Sequence, residues 1–279
     1  MPTRRLPLLV LALLPSIALA AGPMEPELVR PTLVADVSAI TPGASFTLGV
    51  RLQIKPKWHV YWANPGETGQ ATVLKPAGPD GFTFGPVQWP VPLRLDHDFG
   101  LTYAYENDVL LMIPVTAPKD LKPGGSVTLK VEADWQVCHD DCIDGKARLS
   151  ITLPVAADPK PANEKLFTTW RARLPIAQDP AVIRGVDQKS PAGKPEPSVT
   201  VTWTAAPPAK VDWYPVSTRA VMIENVKLAT NGATTRITFK STVYKPDQLP
   251  AGGTVDGLLV YEDAKGQRVG TPFPVKVAK

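Results

Sequence analysis

The chain has little of what most enzymes use for chemistry: two cysteines and three histidines among 279 residues. It contains no glycine-rich phosphate loop, no HExxH and no GxSxG, so the common signatures of nucleotide binding, zinc hydrolysis and serine-esterase chemistry are missing. No cofactor motif is present. After residue 21 no run reaches the ~18 continuous apolar residues of a membrane span. Basic residues form no cluster of the kind that grips nucleic acid. Proline, in contrast, is plentiful: 32 residues, about twice the usual share. Spread along the chain, it breaks helices and is confined to turns and strand ends, which excludes a helical bundle. With 20 glycines it still falls short of a low-complexity composition, and 44% hydrophobic residues suffice for packed cores.

Residues 1–21 (MPTRRLPLLVLALLPSIALAA) place Arg4 and Arg5 before an apolar stretch and end in Ala18-Leu19-Ala20. This is the order of a secretory signal peptide, with cleavage expected after Ala20 or Ala21. Pro15 and the shortness of the run argue against a permanent anchor. Its removal takes away two arginines and lowers the formal charge of +4 by two, so the high pI is partly a property of the leader. The expectation is an exported protein with no membrane span, in an oxidising compartment where two cysteines can pair.

From Leu33 onward, short alternating runs are punctuated by Pro, Gly, Asn and Asp, which predicts antiparallel β structure. Residues 45–54 put Phe46, Leu48, Val50, Leu52 and Ile54 on one face. In 57–63 (KWHVYWA), Trp58, Val60 and Trp62 share one side, with His59 and Tyr61 on the other and a turn expected at Asn64-Pro65-Gly66. Residues 109–115 (VLLMIPV) read as a core strand. The clearest hairpin spans 127–155: Val127, Leu129, Val131, Ala133, Trp135 and Val137 point inward, Ala147, Leu149, Ile151 and Leu153 form the return arm, and Asp144-Gly145 supplies turn chemistry. Cys138 then faces away from Trp135, towards solvent or a covering loop. One helix is predicted over 163–174, capped by Asn163 and stopped by Pro175. Strand patterns resume at 199–205, 220–223, 234–242, 257–261 and 274–277, with a hairpin turn at Asn231-Gly232. The predicted class is all-β: two β-sandwiches over 22–157 and 179–279, joined by a short helical linker at 158–178.

One constellation stands out, Cys138-His139-Asp140-Asp141-Cys142, which holds every cysteine of the chain. A disulfide across it closes a five-residue ring. Chain entropy credits so small a loop with only about 2 kcal/mol, against ~4.7 for a hundred-residue loop. The pair is thus poorly placed as a staple and well placed for exchange with a partner thiolate. His139, when protonated, favours a thiolate beside it, while Asp140, Asp141 and Asp144 oppose one. Two other readings stand beside this one: a structural disulfide on a non-catalytic binding module, and a soft-metal site for Cu(I) built from Cys138, Cys142, His139 and His97. The spacing is not that of a zinc ribbon. Glu67 and Asp80 lie in turns without an evident carboxylate partner.

The segments WHVYWANPGETGQATVL (58–74), GPVQWPVPLRL (85–95), DHDFG (96–100), VLLMIPV (109–115) and ADWQVCHDDCIDGKARLSITLPV (133–155) together resemble the N-terminal periplasmic domain of the DsbD family of thiol:disulfide interchange proteins, with most likeness to its ScsB-like branch, the suppressors of copper sensitivity. The resemblance implies an immunoglobulin-like sandwich in the periplasm whose cysteines, Cys138 and Cys142, relay electrons. It also implies a cap loop over them, matched by Asp96, His97, Asp98 and Phe99, with Phe99 as the covering ring. In the family the chain continues into a membrane domain and a thioredoxin-like domain. Residues 22–279 contain no third cysteine and no apolar span. The implied partner is therefore a separate membrane-embedded electron-transfer protein or a periplasmic thioredoxin-like protein.

Overall fold

Runs that alternate in sequence become half-buried strands because successive side chains leave a strand on opposite faces. A computed structural model describes residues 28–97, 100–189, 197–218, 220–249 and 253–277. The first half holds β1 (Val29–Ala35), β2 (Ser45–Ile54), β3 (His59–Gly66), β4 (Val73–Ala77), β5 (Thr83–Phe84), β6 (Leu93–His97), β7 (Gly100–Glu106), β8 (Asp108–Thr116), β9 (Ser126–Cys138) and β10 (Cys142–Pro154). One sheet runs β1-β2-β8-β5 and the other β10-β9-β3-β7-β6, with β4 also pairing β9. Their inner faces enclose one apolar core, in which Leu48, Val50, Leu52, Leu129, Val131 and Ile113 are fully buried. The expected alternation of β2 and β9 is observed except at Gly49 and Cys138, which are buried although they fall on the outer phase.

The predicted helix is shorter than its pattern: α1 spans Glu164–Arg171. Asn163 precedes it without capping it, since its side-chain amide donates to the Ala35 carbonyl instead (2.9 Å). Phe167 and Trp170 bury themselves in the first core. The connecting segment is thereby fastened to the first sandwich, with Arg171 reaching back to Asp36 (2.5 Å).

The second half holds β11 (Ile183–Lys189), β12 (Ser198–Trp203), β13 (Val211–Pro215), β14 (Val221–Asn231), β15 (Thr234–Val243), β16 (Thr254–Val255), β17 (Gly257–Glu262), β18 (Arg268–Pro272) and β19 (Val275–Lys276). A sheet β11-β12-β15-β14 faces a smaller one, β13-β17-β18, around Val201, Trp213, Ile237, Phe239 and Leu259. The fold is all-β and immunoglobulin-like throughout. The two halves meet along β13, whose Tyr214 packs into the first core against Tyr103 (ring centroids 4.4 Å).

Two turn assignments change. Asp144 and Gly145 are not a turn: they lie in β10, opposite Gln136 and Trp135. Glycine suits that position because the Trp135 ring lies across it, and a Cβ there would meet the ring at 2.3 Å. The turn is made by residues 139–141, between Cys138 and Cys142. Likewise Asn64-Pro65-Gly66 does not end β3; the strand bulges between Tyr61 and Gly66 and continues to pair with β7.

Candidate functional site

β9 delivers Cys138 and β10 begins with Cys142, directly opposite in register. The sulfurs are joined in a disulfide (S–S 2.06 Å). The loop between them is held by the His139 amide donating to the Asp141 carbonyl (3.1 Å). The two sulfurs have unequal surroundings. Cys142 is exposed, whereas Cys138 is only 2% exposed. Sequence alternation placed Cys138 on the correct face, away from Trp135; what covers it comes from β3, which pairs with β9 at this point, His59 opposite Cys138.

Because paired residues share a face, His59 and the next residue on its side, Tyr61, lie beside the disulfide. The Tyr61 hydroxyl donates to Cys138 Sγ at 3.1 Å and lies 3.9 Å from Cys142 Sγ. Burial pushes the Tyr61 phenol above its ordinary pKa, against a smaller opposing effect of the Thr68 hydroxyl, so it stays a donor at neutral pH. The His59 ring, itself buried, meets Tyr61 edge to face at 5.2 Å. The alternation of 57–63 puts these two on the side opposite Val60 and Trp62, and both faces of β3 are packed.

The loop that follows fixes Tyr61. Gly69 sits against the Tyr61 ring at φ +77°, where a Cβ would come within 1.9 Å of a ring carbon. Any side chain there would displace the phenol. Thr72 Oγ1 donates to the Tyr61 carbonyl (3.1 Å), and Thr68 bonds Thr102 of β7 (2.8 Å). Glu67, assigned no partner from sequence, accepts the Leu101 amide on Oε2 (2.9 Å), while its own amide donates to the Leu101 carbonyl (2.8 Å). The motif NPGETG is thus a clamp joining β3 to the β6–β7 hairpin.

On the exposed side, His139 Nδ1 lies 2.8 Å from Asp140 Oδ2, and its ring approaches Trp58 (5.9 Å). Asp141 is exposed, and Gln136 Nε2 donates to Asp144 Oδ1 (3.0 Å). Ile143, next to Cys142, is an exposed apolar side chain. Of the cap residues, Asp96 is paired with Arg94 (3.0 Å) near the turn end of the β6–β7 hairpin, and the His97 backbone pairs with Gly100. Asp98 and Phe99 lie outside the described residues. Among the described residues no group of three or more His, Cys, Asp or Glu side chains is arranged to hold a metal ion.

Sequence reasoning missed Tyr61 as a neighbour of the sulfurs. Its only signal was the shared face with His59, which is uninformative until the β3–β9 register is known.

Residues 25–154 match the family model described as thiol:disulfide interchange protein DsbD, N-terminal. Among solved structures, the chain is similar to the N-terminal periplasmic domain of ScsB from Proteus mirabilis, at 15% identity and TM-score 0.66, covering 93% of this chain and 97% of that one. At such identity the likeness shows a shared fold, and it extends over both sandwiches. A match to BcpA*(D312A), the major pilin subunit of Bacillus cereus, at 9% identity, 90% and 67% coverage and TM-score 0.28, carries no argument. No curated protein matches the chain. Among the described residues no helix is long and apolar enough to cross a membrane.

Proposed function

We propose, from the match of residues 25–154 to the DsbD N-terminal family model, that the protein is an exported, periplasmic thiol–disulfide exchange module that relays electrons through Cys138 and Cys142 to or from a partner protein. The observation that carries this reading is the inequality of the two sulfurs. Thiol–disulfide exchange needs an attacking thiolate in line with one sulfur and a leaving sulfur that can bear the charge. Cys142 is exposed to attack, while Cys138 is buried under a hydroxyl donor.

In the reductive direction a partner thiolate attacks Cys142 Sγ. A bond forms between the two proteins, the Cys138–Cys142 bond breaks, and its electron pair leaves on Cys138. The Tyr61 hydroxyl, already 3.1 Å from that sulfur, donates a hydrogen bond to the new thiolate and so stabilises the charged form. The partner's second thiolate then attacks its own bridging sulfur and releases Cys142. The balance is a partner dithiol oxidised to a disulfide and this pair reduced to two thiols, with two protons carried across. The reverse sequence hands the same electrons on. The partner class that fits is a thioredoxin-like protein or a membrane electron-transfer protein bearing a reactive dithiol. Ile143, beside Cys142, and Trp58, stacked near His139, offer it an apolar footing.

Trapping tests the assignment. Cys138→Ser leaves Cys142 exposed and unable to be resolved from within, and is expected to accumulate a mixed disulfide with a thioredoxin-like protein whose single remaining active-site cysteine is first converted to its mixed disulfide with thionitrobenzoate, the Cys142 thiolate attacking that cysteine's sulfur and thionitrobenzoate leaving. Cys142→Ser leaves only the covered sulfur, with at least about tenfold less adduct expected by mass spectrometry. Equal trapping by both variants, or none by either, would defeat the proposal.

A further inference from the structure

The second sandwich touches the first where the clamp around Tyr61 is built. Strand β13, with Arg268 of β18, makes the ties. The Asp212 carboxylate takes both bonds of the Arg94 Nη1 group (2.9 and 3.1 Å), and Arg94 in turn holds Asp96 on the same strand of the β6–β7 hairpin. The Tyr214 hydroxyl accepts from Arg268 (2.9 Å), whose guanidinium also donates to the Pro92 carbonyl just before β6 (2.6 Å). The Pro215 carbonyl accepts the side-chain amide of Asn64. Asn64 is buried inside the β3 bulge, and its own oxygen accepts the Gly66 amide (3.3 Å). A bulge re-aims the side chains on either side of it. This one has Tyr61 at its start and, at its end, the Gly66–Gly69 loop that presses on the Tyr61 ring.

We propose that Asn64 is a positioning residue through which the second sandwich holds the Tyr61 hydroxyl on Cys138, and so sets the redox equilibrium of the disulfide. The inference rests on the reading of Cys138 as the sulfur that leaves. A buried primary amide bonded at both ends has one orientation; cut from Pro215, it loses the constraint that fixes the bulge, and the phenol three residues away is free to shift from the sulfur. The second sandwich thereby acts on the chemistry without touching either cysteine.

A double-mutant cycle read against glutathione redox buffers decides this, in the full-length protein and with no protein partner present. Tyr61→Phe deletes the donor to the Cys138 thiolate and is expected to make the pair harder to reduce, by roughly tenfold in the equilibrium constant. Asn64→Ala is expected to shift the equilibrium in the same direction by a smaller factor, about threefold, and to add nothing in the Tyr61→Phe background. Arg94→Gln, which cuts the neighbouring tie while leaving the bulge intact, provides a second variant should Asn64→Ala fold poorly; its shift is likewise expected to vanish once Tyr61 is Phe. Shifts of equal size in both backgrounds, or no shift from either variant, overturn the inference while leaving the relay untouched. A pair that never equilibrates with glutathione defeats the relay and this inference together, so the two failures are told apart.

Discussion

Two long hairpins, one in each sandwich, end in opposite ways. In the second sandwich, β14 turns into β15 through Gly232-Ala233, with Asn231 opposite Thr234 and Gly232 at φ +55°. That backbone conformation is what a two-residue hairpin turn demands, and glycine supplies it without cost. In the first sandwich, two thirteen-residue strands end at Cys138 and Cys142, and the three residues between them, His139, Asp140 and Asp141, contain no glycine. There a sulfur–sulfur bond closes the tip. A tip that turns by backbone chemistry is permanent, whereas one closed by a disulfide can open under a thiolate without unravelling the strands behind it. The thirteen paired positions of β9 and β10 hold the hairpin whichever way the sulfurs stand.

The comparison breaks most severely just behind the sulfur tip. Gly145→Ala drives a methyl into the Trp135 ring at a distance no real contact tolerates, and is expected to destabilise the first sandwich by up to about 3 kcal/mol in urea unfolding followed by tryptophan fluorescence. A cost near zero would mean that the ring has room to swing aside. Next comes the bond itself: replacing both Cys138 and Cys142 by Ala is expected to cost about 2 kcal/mol, the entropy of a five-residue ring, while abolishing exchange entirely. A much larger loss would make the disulfide structural. At the other tip, Gly232 has open space around the position of a Cβ, so Gly232→Ala pays only for its left-handed backbone, roughly 1 kcal/mol, with no effect on exchange. A change in exchange rate there would show the hairpins to be coupled.

The smallest expected effect concerns the junction. Burial pushes the Asp212 carboxyl above its ordinary pKa, and the attraction of Arg94 only partly offsets this. A carboxyl raised in the folded state binds its proton more tightly there, so its contribution to stability is greatest in acid and is lost as pH rises through the raised value. The melting temperature of the natural protein relative to Asp212→Asn should therefore improve as pH falls from 7 to 4, by no more than about 2 °C. A trend of the opposite sign would mean that the ion pair outweighs the burial.

Much of this architecture is legible in the order of residues. Alternation identifies β2, β9 and β15 because each buries one face against an apolar layer; β8 is legible instead as a continuous apolar run, buried on both faces, and β14 extends well past the 220–223 run that marks its start. The sulfur pair at a hairpin tip follows from the same pattern. The misread positions share one cause. Gly145, Gly66 and Asn64 look like turn chemistry, yet each meets something outside its own turn: the Trp135 ring for Gly145, the Leu101 carbonyl for Gly66 and the Pro215 carbonyl for Asn64. Glycine and asparagine make turns because they tolerate unusual backbone or bond locally, and those same properties admit a neighbouring ring or carbonyl. Local sequence does not separate the two uses. Glu67 is a similar case, since its carboxylate serves a backbone amide and not a second carboxylate.

Residue order alone settled the β class, the positions of the long strands and the location of all the sulfur-bearing cysteines in the chain, because period-two burial and cysteine spacing are local quantities. Which sulfur is covered, that Tyr61 does the covering, and that the second sandwich grips the clamp through Asn64 and Arg94 were decided only by strand register and by the docking of β13. Those contacts join residues up to 151 positions apart, and pairing over such separations is chosen by the packing of whole sheets, which no short window of sequence contains.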